Sequence, residues 1–219
     1  MKYIYKKIKY SLNVYEKSLL SHFLILSNPK RIIELGIDKG STTKYIQKTL
    51  LENGIDIKYY GFDYDHVIND LINNDRTIKE LVEKNKLQFI KGSLPSTLEI
   101  FLDEDDECFD FILIDATGDY QNVYGELSLL WPKLSDTGFI MCHFHRERLQ
   151  YAVNYFAKKN NANYIPLYRE YNDSKIYSTL AVLSKPTIKF NTFNWMKYHY
   201  NLNKFPGYYR IKKIIGYFR

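Results

Sequence analysis

The fold of this chain is decided by the stretch Arg31-Ile-Ile-Glu-Leu-Gly-Ile-Asp-Lys-Gly-Ser-Thr-Thr-Lys-Tyr45. It opens with apolar residues around one acid, passes through a short segment bracketed by two glycines, and continues into an amphipathic run that Ser41 or Thr42 is suited to cap. This order predicts a buried strand, a tight loop and a helix. In a parallel sheet, the free N–H groups of such a helix face whatever lies above the carboxyl end of the strand. The stretch therefore predicts a ligand site as well as a fold.

The same strand and helix unit recurs along the chain. Further strands are expected at 58–63, 87–90, 109–115 and 139–143, and helices at 3–26, 41–51, 66–84 with a break near 73–75, 96–102, 121–134 and 146–159. A turn is expected at 136–138, and two last strands, 164–168 and 176–183, flank a polar turn at 172–173. We predict an α/β fold of the Rossmann-like, doubly wound kind, with a mostly parallel seven-stranded sheet and a C-terminal antiparallel hairpin.

Length and charge divide the chain into three parts. Its 219 residues suffice for one α/β domain, which we place at residues 30–184, after an N-terminal helical segment at 1–29 and before a basic, aromatic tail at 185–219. Residues 1–17 carry a net charge of +4 and the tail carries +8, so with +6 overall the segment between them stands at −6. An acidic centre argues against nucleic acid lying over the domain.

Cysteine usage indicates a reducing compartment, and the hydropathy pattern bears on membrane spans. Cys108 and Cys142 lie in or beside predicted core strands, which favours buried free thiols over a disulfide. We find no signal-peptide pattern, and no run approaches the roughly 20 apolar residues that span a bilayer. A cytoplasmic location is expected, either free or at the periphery of a membrane.

Over residues 30–184 the sequence resembles the class I S-adenosylmethionine-dependent methyltransferases. The resemblance is carried by Glu34-Leu-Gly36 through Gly40-Ser-Thr, by Asp63 after the second strand, by Gly92-Ser93 after the third, and by Asp115 after the fourth. The segment from Ile114 to His143 is similar to a small O-methyltransferase group. That group includes metal-dependent methyltransferases of natural-product sugars and proteins similar to cephalosporin hydroxylase.

The resemblance implies a set of site residues. Those implied to bind S-adenosylmethionine are Glu34, Gly36, Gly40 and Ser41 at the methionine end, Asp63 at the ribose, and Gly92 with Ser93 at the adenine. Asp115 would orient the cofactor or the substrate. An alcohol acceptor must lose its proton, and His143 is the first candidate for that base, with Asp119 as the alternative. His143 could instead be a satisfied core histidine, and this alternative stays open.

Two departures from the group concern its metal site. Gly118 stands where the group often has a histidine, and Phe144 stands where the closing strand normally ends in a carboxylate. Because divalent cations such as Mg²⁺ prefer several oxygen ligands, we assign no metal ligands and predict a metal-independent reaction.

Two other functions compete with methyl transfer. A nicotinamide-dependent oxidoreductase shares the first βαβ unit, but the loop lacks the Gly-x-Gly-x-x-Gly spacing and no Tyr-x-x-x-Lys pair appears. A catalytically inactive binding module on the same fold would also fit the departures at Gly118 and Phe144.

Partners are predicted from the resemblance and from the tail. The acceptor is expected to be a small molecule with a hydroxyl group, and the group resemblance implies a sugar or glycan. The basic and aromatic tail suits contact with an anionic membrane surface, while its mixed composition also occurs in proteins that bind single-stranded nucleic acid, which we do not expect here. We favour a further interpretation, in which the aromatic residues of the tail pack on the domain or on a second subunit of a homo-oligomer while its lysines stay solvated.

Overall fold

The computed structural model of the chain describes residue 12 and residues 14–116, 118–143, 147–171 and 174–188. The tail from residue 189 onward lies outside these residues, and so do residues 1–11 and 13. The strands are β1 (Arg31–Leu35), β2 (Lys58–Asp63), β3 (Gln88–Lys91), β4 (Phe109–Ile114), β5 (Leu134–His143), β6 (Asn163–Tyr171) and β7 (Ser174–Ser184). The helices are α1 (Val14–Ser27), α2 (Ser41–Glu52), α3 (Asp65–Asn74), α4 (Arg76–Glu83), α5 (Ser96–Glu104), α6 (Tyr120–Lys133) and α7 (Glu147–Lys159).

The seven strands form one sheet in the order β3-β2-β1-β4-β5-β7-β6. The pairs among β1 to β5 are parallel, whereas β7 is antiparallel to both β5 and β6. The chain therefore winds outward in both directions from β1 and β4. In an open sheet of this kind the reversal leaves a crevice at the carboxyl ends of the two central strands. The predicted fold and its closing hairpin are confirmed.

The sheet is covered on both faces, which explains why all five residues of β1 are buried. Successive residues of a strand point to opposite faces, so Ile32 packs in one core cluster and Ile33 in the other. The first cluster includes residues of α1 and α2, and the second includes residues of α5, α6 and α7. This arrangement holds the central strands rigidly and leaves their carboxyl ends as the place for a site.

The predicted break near 73–75 is confirmed and has a local cause. Asp75 adopts an extended conformation, and its side chain accepts a hydrogen bond of 3.2 Å from the backbone N–H of Ile78. Asp75 thus ends α3 and caps α4.

Two predictions about local structure were wrong. The expected turn at 136–138 lies within β5, where the pairing with β4 shifts register and absorbs the extra residues. Cys108 is exposed rather than buried, because it lies just before β4, outside the buried part of the sheet. Cys142 is buried in β5, and both are free thiols. The polar turn at 172–173 lies outside the described residues.

Candidate active site

The loop between β1 and α2 requires its two glycines. Gly36 has a φ of +87°, and a Cβ on it would lie 2.8 Å from the backbone N of Ala116 and 2.8 Å from the carbonyl oxygen of Asp115. Only glycine lets the ends of β1 and β4 approach this closely. Gly40 has a φ of +65° and faces Leu71, so it packs against α3.

The cap of α2 differs from the prediction. Gly40 is the N-cap, in the left-handed conformation, and no side chain accepts a hydrogen bond there. Ser41 and Thr42 already belong to the helix, because the positive φ of Gly40 starts the helix one residue earlier than the hydroxyl residues suggested. The Oγ atom of Ser41 instead lies 3.4 Å from Nζ of Lys17, which comes from α1.

Asp63 ends β2 and fastens the glycine loop. Its Oδ2 accepts hydrogen bonds from the backbone N–H groups of Ile37, at 2.8 Å, and Asp38, at 2.9 Å, while Oδ1 accepts one from Tyr64 at 2.7 Å. A carboxylate has about four acceptor sites, so these three bonds leave capacity for one more donor. Asp63 thus lies where the sequence predicted a ribose-binding acid, and it also shapes the loop.

Glu34 lies beneath the loop. Its side chain is 0% exposed, its Oε2 accepts hydrogen bonds from the hydroxyls of Thr43, at 2.6 Å, and Tyr59, and its Oε1 is buried without a partner. Burial raises the pKa of Glu34 to about 8, against the opposing effect of the two hydroxyl donors. The carboxyl group of Glu34 is thus enclosed by protein on the strand face that α2 covers, and its contact with a ligand stays a prediction.

Asp115 and His143 meet at the ends of β4 and β5. Nδ1 of His143 lies 2.6 Å from Oδ1 of Asp115. His143 is only 4% exposed. An aspartate in this position fixes the orientation of the imidazole and favours the tautomer that carries its proton on Nδ1. The two residues that the sequence marked at neighbouring strand ends are thus brought together as a pair.

The remaining predicted residues have local roles. Asp119 is exposed and caps α6, because its side chain accepts a hydrogen bond of 3.0 Å from the backbone N–H of Asn122. Gly92 follows β3 and has a φ of +151°. Its backbone N–H donates a hydrogen bond of 3.0 Å to the carbonyl oxygen of Asp63, and the side chain of Thr97 leaves no room for a Cβ on it. Ser93 is exposed next to it. Gly92 and Ser93 therefore adjoin Asp63, and their contact with the adenine stays a prediction, while Asp119 is engaged as a cap.

No group of three or more His, Cys, Asp or Glu side chains suited to a metal ion occurs among the described residues. Phe144, on which the metal-independent prediction rests, lies outside them. That prediction therefore stays a prediction. In the same described part of the chain, no helix is long and apolar enough to cross a membrane.

One buried acid, Glu126, belongs to the segment that carries the resemblance but received no role from the sequence. Glu126 lies on the inner side of α6, is 1% exposed, and has a buried Oε2 without a hydrogen-bond partner. Desolvation raises its pKa to about 8. The signal for its burial was its position in the apolar spacing of α6, where Val123, Leu127 and Leu130 share the buried side.

A cavity of about 500 Å³ opens at the opposite edge of the sheet. Lys30, Arg31 and Lys58 line it at the amino ends of β1 and β2. Because ligands of open α/β sheets bind beyond the carboxyl ends of the strands, this cavity is not part of the candidate site.

Comparison of sequences identifies a family for the central segment. A family model described as "Methyltransferase domain" matches residues 33–143, which is half of the chain. The matched segment contains the glycine loop, Asp63, Asp115 and His143. No curated protein sequence matches the chain significantly.

Solved structures share the fold at low sequence identity. The O-methyltransferase TomG of Streptomyces achromogenes, involved in tomaymycin synthesis and solved in complex with SAM, aligns with a TM-score of 0.63 and 11% identity, covering 81% of this chain and 83% of that one. An O-methyltransferase of Bacillus cereus, solved with SAH, aligns with a TM-score of 0.61 and 15% identity, covering 80% and 83%. The SAH-bound methyltransferase PaMTH1 of Podospora anserina aligns with a TM-score of 0.59 and 14% identity, covering 80% of each chain.

Proposed function

Because the chain belongs to the Methyltransferase domain family, we propose that it transfers a methyl group from S-adenosylmethionine to a hydroxyl oxygen, and that this hydroxyl belongs to a sugar or glycan. The observation that carries the proposal is the Asp115–His143 pair, which stands beside the glycine loop at the point where the strand order reverses. A proton acceptor and a cofactor loop are then next to each other, as alcohol methylation requires.

The residues present fit the cofactor. The loop between Gly36 and Gly40 brings backbone close to the carboxyl ends of β1 and β4, and the first turn of α2 offers free N–H groups to an anionic ligand group. Asp63 keeps an acceptor site for a ribose hydroxyl. Tyr64, exposed next to it, has an aromatic face suited to a purine base. When bound, S-adenosylmethionine supplies the electrophilic methyl group.

The chain's own chemistry is proton removal. In the tautomer that donates from Nδ1 to Asp115, the basic nitrogen of His143 is Nε2, and this atom accepts the proton of the acceptor hydroxyl. The negative charge of Asp115 stabilises the imidazolium that results. We assign Asp115 to the orientation of His143 rather than to direct contact with the cofactor.

A group of exposed and half-buried tyrosines supports a sugar acceptor. Tyr120 begins α6 shortly after Asp115 and stacks on Tyr124, with ring centroids 6.5 Å apart and planes 5° apart. Tyr124 lies 5.9 Å from Tyr155 of α7, and Tyr151 is 65% exposed one turn before it. Aromatic rings present apolar faces to the C–H faces of sugar rings, and their hydroxyls remain available for hydrogen bonds. We call Tyr120, Tyr124, Tyr151 and Tyr155 the tyrosine surface.

The cofactor half of the proposal is tested by calorimetric titration with S-adenosylhomocysteine and, separately, with NAD⁺. We expect micromolar binding of S-adenosylhomocysteine that survives a chelator and weakens in Asp63→Ala, and no binding of NAD⁺. The opposite preference between the two ligands would support an oxidoreductase and overturn the proposal.

The acceptor half is tested by screening sugars and oligosaccharides for methyl transfer. Tyr151→Ser should lower kcat/KM for a glycan acceptor severalfold without changing the affinity for S-adenosylhomocysteine. An exposed tyrosine away from this surface, Tyr64, provides the contrasting variant, since Tyr64→Ser should weaken cofactor binding instead. Methylation of non-sugar alcohols alone would contradict the sugar assignment.

The low exposure of His143 favours one competing function, a binding module that holds the cofactor without transferring its methyl group. Such a module would bind S-adenosylhomocysteine and show no turnover with any acceptor. A methylated product that is lost in His143→Gln would exclude this function.

A further inference from the structure

Lys17 of α1 lies at the entrance of the glycine loop. Its Nζ is 3.4 Å from Oγ of Ser41, the first residue of α2, and 5.4 Å from the centre of the Tyr45 ring. One turn further along α1, Ser21 and Tyr45 share a hydrogen bond of 2.6 Å between their hydroxyls. The two helices therefore run side by side, and this contact fixes the start of α1 next to the start of α2.

The position is electrostatically unfavourable for a lysine. The first turn of α2 carries unpaired backbone N–H groups and the positive end of the helix dipole, where anions are stabilised and cations are not. Gly40 caps the helix without a side-chain acceptor. Within the described residues, Lys17 has no carboxylate at ion-pair distance. Two sources of positive potential thus converge beside the loop.

We propose that Lys17 binds the carboxylate of the cofactor's methionine moiety, together with the free N–H groups of the first turn of α2. The inference rests on the proposed function, since it deepens the cofactor site by adding a residue from outside the segment that the family model matches. A carboxylate there gains a charge-assisted hydrogen bond from Nζ and the favourable dipole of a helix of 12 residues. The bound carboxylate also offsets the repulsion between the ammonium group of Lys17 and the positive end of the α2 dipole.

The test separates the carboxylate from the rest of the ligand. Calorimetry is performed with S-adenosylhomocysteine and with decarboxylated S-adenosylhomocysteine, which keeps the adenosine, thioether and amine. Lys17→Gln removes the charge and keeps a polar side chain of similar shape. Lys17→Arg keeps the charge. Lys79→Gln, on the exposed side of α4, makes the same change in net charge away from the loop.

The wild-type protein should bind S-adenosylhomocysteine more tightly than the decarboxylated ligand, and Lys17→Gln should weaken the first by roughly 10- to 100-fold. The second should change less than about twofold, since it lacks the group that Lys17 contacts. Lys17→Arg should retain most of the preference, and Lys79→Gln should leave both affinities unchanged. Unfolding curves of all variants confirm that the comparison is between folded proteins.

Three outcomes would overturn the inference. If Lys17→Gln weakens both ligands equally, Lys17 acts on the shape of the loop rather than on the carboxylate. If the wild-type protein does not prefer the carboxylate-bearing ligand, no such contact exists, whatever the variants do. If it binds neither ligand, the proposed function itself fails and the inference fails with it, which distinguishes that case from the other two.

Discussion

Nδ1 of His143 lies 2.6 Å from Oδ1 of Asp115, and this contact joins the carboxyl ends of β4 and β5. The two residues are separated by 28 positions in the sequence, and the parallel pairing of Ile114 with Cys142 brings them to the same level of the sheet. Both side chains are nearly buried, since that of His143 is 2% exposed and that of Asp115 is 8% exposed. The contact orients the imidazole and favours the tautomer that carries its proton on Nδ1, which suits a general base.

The first prediction concerns this pair. His143→Gln should lower the rate of methyl transfer by about 10²- to 10⁴-fold while changing the affinity for S-adenosylhomocysteine by less than about threefold. Asp115→Asn should lower kcat in the same direction, because an amide no longer stabilises the imidazolium. Asp119→Asn is the control, since asparagine also caps helices and should leave kcat unchanged. A large loss in that variant would instead identify Asp119 as the base.

The second prediction separates backbone strain from steric conflict at two glycines with positive φ. Gly54→Ala meets no atom within 4 Å and should cost only the strain of its φ of +67°, about 1 kcal/mol of unfolding free energy. Gly36→Ala adds contacts below 3 Å with the backbone of Asp115 and Ala116, and should cost about 3 kcal/mol or more and abolish cofactor binding. Urea unfolding and calorimetry measure both quantities. Equal costs at the two positions would show that β1 and β4 can separate freely.

The third prediction uses two aspartates that hold opposite ends of β1. Asp63 accepts backbone hydrogen bonds from Ile37 and Asp38 beyond the carboxyl end, and Asp110 accepts them from Lys30 and Arg31 at the amino end, at 2.8 and 3.2 Å. Alanine at either position should lower the unfolding free energy by about 1–3 kcal/mol.

Only Asp63→Ala should also weaken binding of S-adenosylhomocysteine, by tenfold or more, because it alone releases the cofactor loop. If Asp110→Ala weakens binding as strongly, the effect of Asp63→Ala reflects general loss of stability and not its place in the site.

The fourth prediction is a pH dependence caused by Glu126. Its pKa is raised from 4.5 to about 8 in the folded protein, so between these values the folded state binds a proton that the unfolded state has released. The free energy of unfolding should therefore fall as pH rises through this interval, with a limiting slope of about 1.4 kcal/mol per pH unit for one such group.

Glu126→Gln mimics the neutral acid and should flatten this slope and raise stability at pH 8, as measured by urea unfolding from pH 5.5 to 8.5. Glu83→Gln, at an exposed position, should leave the slope unchanged. In Glu126→Gln, Glu34 should leave a slope of the same sign, since its pKa is raised too. Below about pH 6.5, His22 should act in the opposite direction, because burial lowers its pKa. A wild-type slope of zero would show that Glu126 ionises in the folded state without cost.

The fold could be predicted because its signals are local. Each of these signals arises from a few adjacent residues: the glycine spacing at 36 and 40, the apolar strands, and the acids at the ends of strands. The break at Asp75 was predictable for the same reason. The capping side chain of Asp75 accepts its hydrogen bond from the backbone N–H of Ile78, only three residues later. The turn expected at 136–138 was wrong because a register shift against β4 depends on the partner strand, which local sequence does not contain.

The candidate site was only partly predictable. The sequence identified Asp63, Asp115 and His143 by their places at the ends of strands, and the structure puts them in one row along the carboxyl edge of the sheet. It assigned no role to Lys17, which reaches the loop from a helix 24 residues away, or to Glu126, which is an acid in an otherwise apolar helix face. Proximity across helices depends on packing, and packing is not periodic in the sequence.

The sequence alone determined the order of strands and helices, the glycine loop and the chemical kinds of residue at each strand end, because backbone geometry and apolar periodicity act over short distances. Tertiary structure decided what each polar residue touches. Glu34 is enclosed by Thr43 and Tyr59, and Asp115 is paired with His143. The reason is that a hydrogen bond requires two groups within about 3 Å, and sheet register and helix packing bring distant residues that close.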